Sequence, residues 1–184
     1  MLSQIAISTI QILASFYITI VILRFLLQLS RADFYNPISQ FVVKATNPFV
    51  IPLRRIIPGM GGLDIASLVL AILLQLLTYV LLLALRGSGI PLTLLLPLAL
   101  LKVLDLTVQV YFWAIIAVIV LSWIAPGSYH PAAQLLYQLT EPVMRPFRKI
   151  LPNLGGLDLS PILVFLVINA INIVISHLQS MVIH

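Results

Sequence analysis

Hydrophobic positions along the chain fall into long unbroken runs, and polar positions gather in the short stretches between them. Four runs, Ile5 to Leu23, Ile65 to Leu85, Leu106 to Trp123 and Leu159 to Ser176, each approach the about 20 apolar residues that cross a hydrocarbon core at about 1.5 Å of rise per residue. The period-two alternation of a barrel strand is absent from them, so they predict transmembrane helices. The first run lacks a basic n-region and an A-x-A-like cleavage site and is read as a retained span. A fifth run, Ile90 to Leu101, is shorter and carries Pro91 and Pro97. Joining it to the following span would place Lys102 and Asp105 inside the membrane, at about 2.5–3.5 kcal/mol each on insertion scales. It is therefore expected to be interfacial or re-entrant, or a plain linker packed on the bundle.

The polar stretches repeat. Residues 35–64 match residues 129–158 at a constant offset of 94, and the matched cores read NPFVIPLRRIIPGMGGLD and EPVMRPFRKILPNLGGLD. Each half holds a span, a basic loop and a second span, so the halves are parallel repeats about an axis along the membrane normal. The expected fold is an all-α membrane protein. Its four transmembrane helices form two parallel span-loop-span repeats, with short amphipathic interfacial helices in the loops. Residues 1–89 make the first repeat, with its basic loop at 30–64. Residues 90–105 form an extracytoplasmic connector, and 106–184 make the second repeat, with its basic loop at 124–158.

Within the loops, Asn36-Pro37 and His130-Pro131 read as helix starts. Ile38, Phe41, Val42 and Ala45, and likewise Ala132, Leu135, Leu136 and Leu139, follow at i, i+3, i+4 and i+7, the spacing of an amphipathic helix. Pro48 and Pro142 are expected to end these helices. The next segments, PLRRIIP and PFRKILP, set Leu53, Ile56 and Ile57, or Phe147, Ile150 and Leu151, against the basic pairs Arg54–Arg55 and Arg148–Lys149. Such segments suit a lipid interface, with anionic headgroups adding about 1 kcal/mol per basic residue. The alternative is a set of topology signals with no specific partner.

Composition agrees with this layout. The 184 residues are 61% hydrophobic and 8% charged, far from the about 25% charge of soluble domains. Of the ten Lys and Arg residues, Arg31, Lys44, Arg54, Arg55, Arg145, Arg148 and Lys149 lie in the two loops. Basic excess marks cytoplasmic loops, so both termini are expected outside the cytoplasm. Arg24, at the cytoplasmic end of the first span, is expected to snorkel to that interface. Asp33, Asp64, Glu141 and Asp158 reduce the loops to a net +3, seven minus four, which argues against nucleic acid as a principal partner.

With zero cysteines, disulfides, thiolate nucleophiles and Cys-ligated metals are excluded. His130 lies across the membrane from His177 and His184, so no metal site is expected. No cofactor and no catalytic set is legible. The two GGLD elements lack the Lys and Ser/Thr of a phosphate loop. Asp64 and Asp158 instead read as N-caps of the second and fourth spans, with Gly61, Gly62, Gly155 and Gly156 supplying the tight turns. Ligand binding is the remaining alternative. Inside the spans, Gln75 matches Asn169 and Thr78 matches Asn172 at offset 94, and Gln11 matches Gln109 when the offset is raised to 98. These amides and hydroxyls are either interhelical glue or a polar path between the halves.

The doubled span-NP-loop-GGLD-span arrangement resembles the YggT family of bacterial inner-membrane proteins, also called YlmG, in its two-repeat form. The resemblance covers nearly the whole chain. It implies a non-enzymatic protein, with roles in tolerance of osmotic shock and in membrane or nucleoid organisation near division. For chloroplast relatives it implies cytochrome b6f haem attachment, for which this chain offers neither a cysteine nor an axial pair. No catalytic residues come with it. The expected contact residues for anionic lipid headgroups, or for an unidentified protein partner, are Arg54, Arg55, Arg148 and Lys149. The alternative is a small ion or solute channel or permease lined by Gln11, Gln75, Thr78, Gln109, Asn169 and Asn172. A bundle of four helices leaves little room for a pore, so transport would require a homo-oligomer.

Overall fold

The computed structural model describes residues 2–57, 59, 61–86, 91–125, 127–150 and 158–183. Their regular elements are six helices: α1 (Leu2–Leu29), α2 (Pro37–Ile56), α3 (Ile65–Arg86), α4 (Leu92–Ile124), α5 (Pro131–Ile150) and α6 (Ser160–Ile183). Four of them, α1, α3, α4 and α6, are long and apolar enough to cross a membrane. Their outward positions are apolar too, among them Ile12, Leu13, Phe16, Trp113 and Val174, as a lipid-facing surface requires.

Two cores form. In the first, Ile18, Val21, Ile22 and Leu26 of α1 pack with Val42 and Val50 of α2 and with Leu70 and Ala71 of α3. In the second, Ile115 of α4, Met144 of α5 and Val164, Ile168 and Ile175 of α6 come together. Helix α4 joins them, because its Val103, Leu106 and Ala114 belong to the first core. Each repeat is thus a triad of helices, and the triads meet along α1, α3 and α4. Both loop helices lie at the same end of the bundle. The Asn36 side-chain amide donates to the Pro131 carbonyl at 2.7 Å, and the Asp33 N–H donates to Gln138 Oε1 at 2.8 Å.

Helix α4 absorbs the run that was expected to stand apart. Residues 92–101 are its first turns, continuous with the span. Lys102 and Asp105 neutralise each other one turn apart, Nζ to Oδ2 at 2.7 Å, which lowers the cost of carrying both on one apolar helix. Pro97, near the helix start, forfeits only the bond to Thr93. Leu95, Leu98, Ala99 and Val103 are buried and hold the turn in place.

The loop helices also run further than expected. Neither Pro48 nor Pro142 ends its helix: α2 continues through Pro48 and Pro52, and α5 through Pro142 and Pro146. PLRR and PFRK are therefore the last turns of these helices and not separate interfacial segments. Tertiary contacts hold α2 in place around Pro48. Tyr17 Oη donates to the Ala45 carbonyl at 3.1 Å, while Thr46 and Val50, on either side of Pro48, are fully buried. The Asn36 side chain accepts from the Ile38 N–H at the start of α2, with Pro37 in the first helical position. The buried face is Ser39, Val42, Thr46 and Val50. Ile38, Phe41, Phe49 and Ile56 face outward, so the apolar stripe read from the sequence is divided between core and surface.

Candidate functional site

Arg24 does not snorkel. It is 4% exposed, because an arginine facing the bundle interior needs a counter-charge, and the fold supplies one in Asp64, itself 2% exposed. Arg24 Nε lies 3.2 Å from Asp64 Oδ2. Its Nη1 donates to Thr46 Oγ1 at 2.7 Å, to Asn47 Oδ1 at 2.9 Å and, at longer range, to the Val43 carbonyl. From the end of α2, Arg54 reaches the same carboxylate with Nη2 at 2.7 Å and Nε at 3.2 Å. Asp64 also accepts from the Ser67 hydroxyl and from the Ser67 N–H, the bond of an N-cap on α3. Gln28 closes the rim, accepting from Arg54 and donating to the Gly62 carbonyl. Gly61 and Gly62 both adopt positive φ, at 61° and 83°, the left-handed region that side chains other than glycine rarely occupy.

One carboxylate thus clasps two guanidiniums and ties α1, α2 and α3 together. Burial pushes the Asp64 carboxyl up, and the bonds from Arg54 and Ser67 outweigh it, leaving it below the ordinary carboxylate range.

The second repeat builds the same corner with different charges. Arg148 Nε lies 3.0 Å from Asp158 Oδ2, and its Nη1 lies 2.6 Å from Glu141 Oε2. Asp158 accepts from the Ser160 N–H at the start of α6. Burial works to raise the Asp158 carboxyl, but the Ser160 and Arg148 contacts hold it below its usual range. Burial works to lower the Arg148 guanidinium, but its two carboxylate partners raise it. The side chains of Asp158 and Glu141 are 45% and 50% exposed. Between α4, α5 and α6 at this corner lies a cavity of about 530 Å³. Gly155 and Gly156 lie outside the described residues.

Of the four basic residues expected to make contacts, Arg54 and Arg148 are held by carboxylates. Arg55 and Lys149 are exposed and form no ion pair among the described residues. The polar intramembrane residues divide. Gln11, Gln75 and Thr78 come together with Ser15, Tyr79 and Lys102 around a cavity of about 320 Å³. Gln109 lies away from it and donates to Asp105, Asn169 is exposed on α6, and Asn172 Oδ1 is buried without a partner. The six do not form one lining. No group of His, Cys, Asp and Glu among the described residues could hold a metal ion.

Sequence reasoning missed Arg24, Thr46, Asn47 and Ser67 as one cluster. The available signal was the arginine itself, set within an apolar run and requiring a partner.

Six helices, four of span length, arranged as two like triads with their loop helices at one end, define a multi-pass helical membrane protein built by duplication. The chain matches the CCB3/YggT family over residues 3–85 and again over 97–179, and it belongs to that family. It is 55% identical over 183 residues to an uncharacterized protein of Pseudomonas aeruginosa, covering 98% of this chain and 93% of that one. It is 37% identical over 165 residues to the uncharacterized protein YggT of Escherichia coli K12, covering 85% and 81%. A chloroplastic YlmG homolog protein 2 of Arabidopsis thaliana is 42% identical over 62 residues, 34% of this chain and 24% of that one. No solved structure matches the chain.

The two family matches also correct the register of the first spans. They are equal in length and stand 94 residues apart from end to end, with Tyr17 on Tyr111 and the buried Val21 on the buried Ile115. Gln11 therefore corresponds to Asp105 and not to Gln109. Arg24 corresponds to Val118.

Proposed function

We propose that this protein is a non-enzymatic factor of the bacterial inner membrane, organising the bilayer or supporting tolerance of osmotic stress and division through two basic loop helices. The loops face the cytoplasm and the termini face outward. One observation carries the reading: at a single end of the bundle, exposed Arg55 and Lys149 neighbour exposed Ile56 and Ile150. That pairing of charge with apolar surface suits an anionic headgroup layer. Arg54 and Arg148 brace the helix ends, and Arg55 and Lys149 make the contact.

The test is lipid selectivity. Purified protein is reconstituted in nanodiscs containing phosphatidylglycerol and phosphatidylcholine, and the bound lipid is counted by native mass spectrometry. The double variant R55E/K149E should lose the phosphatidylglycerol preference while keeping its unfolding temperature; an unchanged preference overturns the reading. A channel or permease is the second reading, resting on the cavity around Gln11, Gln75, Thr78 and Lys102. Flux above background in liposomes would favour it.

A further inference from the structure

The cavity between α4, α5 and α6 occupies the place of a missing side chain. In the register set by the repeat, its lining residues Val118, Ser122, Thr140, Arg148 and Asp158 correspond to Arg24, Gln28, Thr46, Arg54 and Asp64. These five first-repeat residues are Arg24 and groups of the cluster around it. The second repeat therefore keeps most of the arginine's receptor and has valine where the arginine stood. We propose that this cavity binds a small guanidinium-bearing molecule, its head seated between Asp158 and Thr140 where the Arg24 head sits in the first repeat.

Three observations point the same way. The first is charge. The first corner holds Arg24, Arg54 and Asp64, two cations and one anion. The second holds Arg148, Glu141 and Asp158, one cation and two anions. The position of Asn47 carries Glu141 in the second repeat, so the second corner has one cation fewer and one anion more than the first. A bound guanidinium brings it to neutrality.

The second is Thr140. It is 1% exposed and lines the cavity. Its hydroxyl donates to the Leu136 carbonyl, as Thr46 donates to Val42. Thr46 also accepts from Arg24, whereas Thr140 Oγ1 accepts from no donor among the described residues. A buried residue lining the cavity thus has a hydroxyl oxygen without a donor among the described residues, and a guanidinium N–H seated there would supply one.

The third is the shape and isolation of the site. Ile115, Ile119 and Phe165 form an apolar floor that suits a short alkyl chain. The exposed carboxylate of Asp158 belongs to the cavity lining at the start of α6. Among the described residues, Arg148 is the sole basic side chain within ion-pair distance of Glu141 or Asp158, and residues 151–157 contain no charged side chain.

The probe is n-propylguanidinium, the arginine side chain without its backbone, with neutral n-propylurea as its isostere. Binding to the full-length protein in detergent is measured by calorimetry and by the shift in unfolding temperature. The wild type is expected to bind the cation and to ignore the urea. D158N, altered at a half-exposed residue that lines the cavity and whose asparagine can still cap α6, should bind about tenfold more weakly, the scale of one lost charge-assisted contact. V118R should fill the cavity with its own guanidinium, raise the unfolding temperature and abolish binding. R24V should gain a second molecule of n-propylguanidinium per chain where it folds. Equal responses to the cation and the urea, or a D158N variant that binds as tightly as wild type, overturn the proposal. Lipid preference is not read here, so failure of the lipid reading leaves this test unaffected.

Discussion

The two loop-end corners share a backbone plan and differ in what fills it. In the first repeat a buried carboxylate holds two arginines and knits three helices. In the second a half-exposed arginine holds two carboxylates beside an open cavity. The lesson concerns dielectric. The same aspartate at the same capping position is buried in one copy and half-exposed in the other. The first copy has Arg24 against that aspartate where the second has Val118 at the corresponding position. Buried ion pairs are costly to break, whereas exposed ones contribute little. The first corner is therefore structural, and the second is free to change.

The largest expected effect breaks the first corner. Arg24→Met leaves Asp64 buried with one partner fewer and should destabilise the protein by about 3–5 kcal/mol, read as a drop in unfolding temperature in detergent. Asp158→Asn, the contrasting change at the second corner, should cost about 1 kcal/mol or less. Equal losses would mean that the corners do the same work.

Next in size is the acid response. The Asp64 carboxyl is held below its ordinary value in the folded chain, so on acidification the unfolded chain takes up its proton first. The stability it contributes is complete above the unfolded carboxylate range, near about pH 4, and is lost as the pH falls through the lower folded value. Asp64→Asn should flatten the stability curve below about pH 5. Asp158→Asn should flatten it less, since that carboxylate is in contact with water in the folded state.

A smaller effect tests how α2 survives its prolines. Tyr17→Phe removes the donor to the Ala45 carbonyl beside Pro48 and should cost about 0.5–1.5 kcal/mol, with faster amide exchange in residues 49–56. The corresponding Tyr111 makes no such bond among the described residues, so Tyr111→Phe should cost less. Smallest of all, R55E/K149E should leave stability unchanged while altering lipid preference.

Much of this architecture was legible beforehand. The four apolar runs had to be helices or leave backbone groups unpaired in lipid, and the matched NPFVIPLRRIIPGMGGLD and EPVMRPFRKILPNLGGLD showed the duplication. Asn36-Pro37 marked the start of α2. Helix ends were less legible. Proline and paired charge look like boundaries when read one residue at a time. Pro48 and Pro52 are carried through because α1, distant in sequence, supplies a donor to α2 and residues beside Pro48 are buried. Lys102 and Asp105 are carried because they pair with each other. Of the candidate site, Asp64 was visible as a cap but not as the centre of a cluster. The register of the first spans was misplaced by one helical turn, which hid the exchange of Arg24 for Val118.

By itself, the sequence determined which segments are apolar, that the chain is two copies of one plan, and where its charges are concentrated. The tertiary structure alone decided which charges are sealed and which are wet. That outcome depends on whether an arginine reaching from α1 or α4 fills the space against α2 or α5, and the distance between those side chains along the chain, 40 residues from Arg24 to Asp64, puts the contact beyond any local pattern. Desolvation is a property of the packed corner and not of the residue.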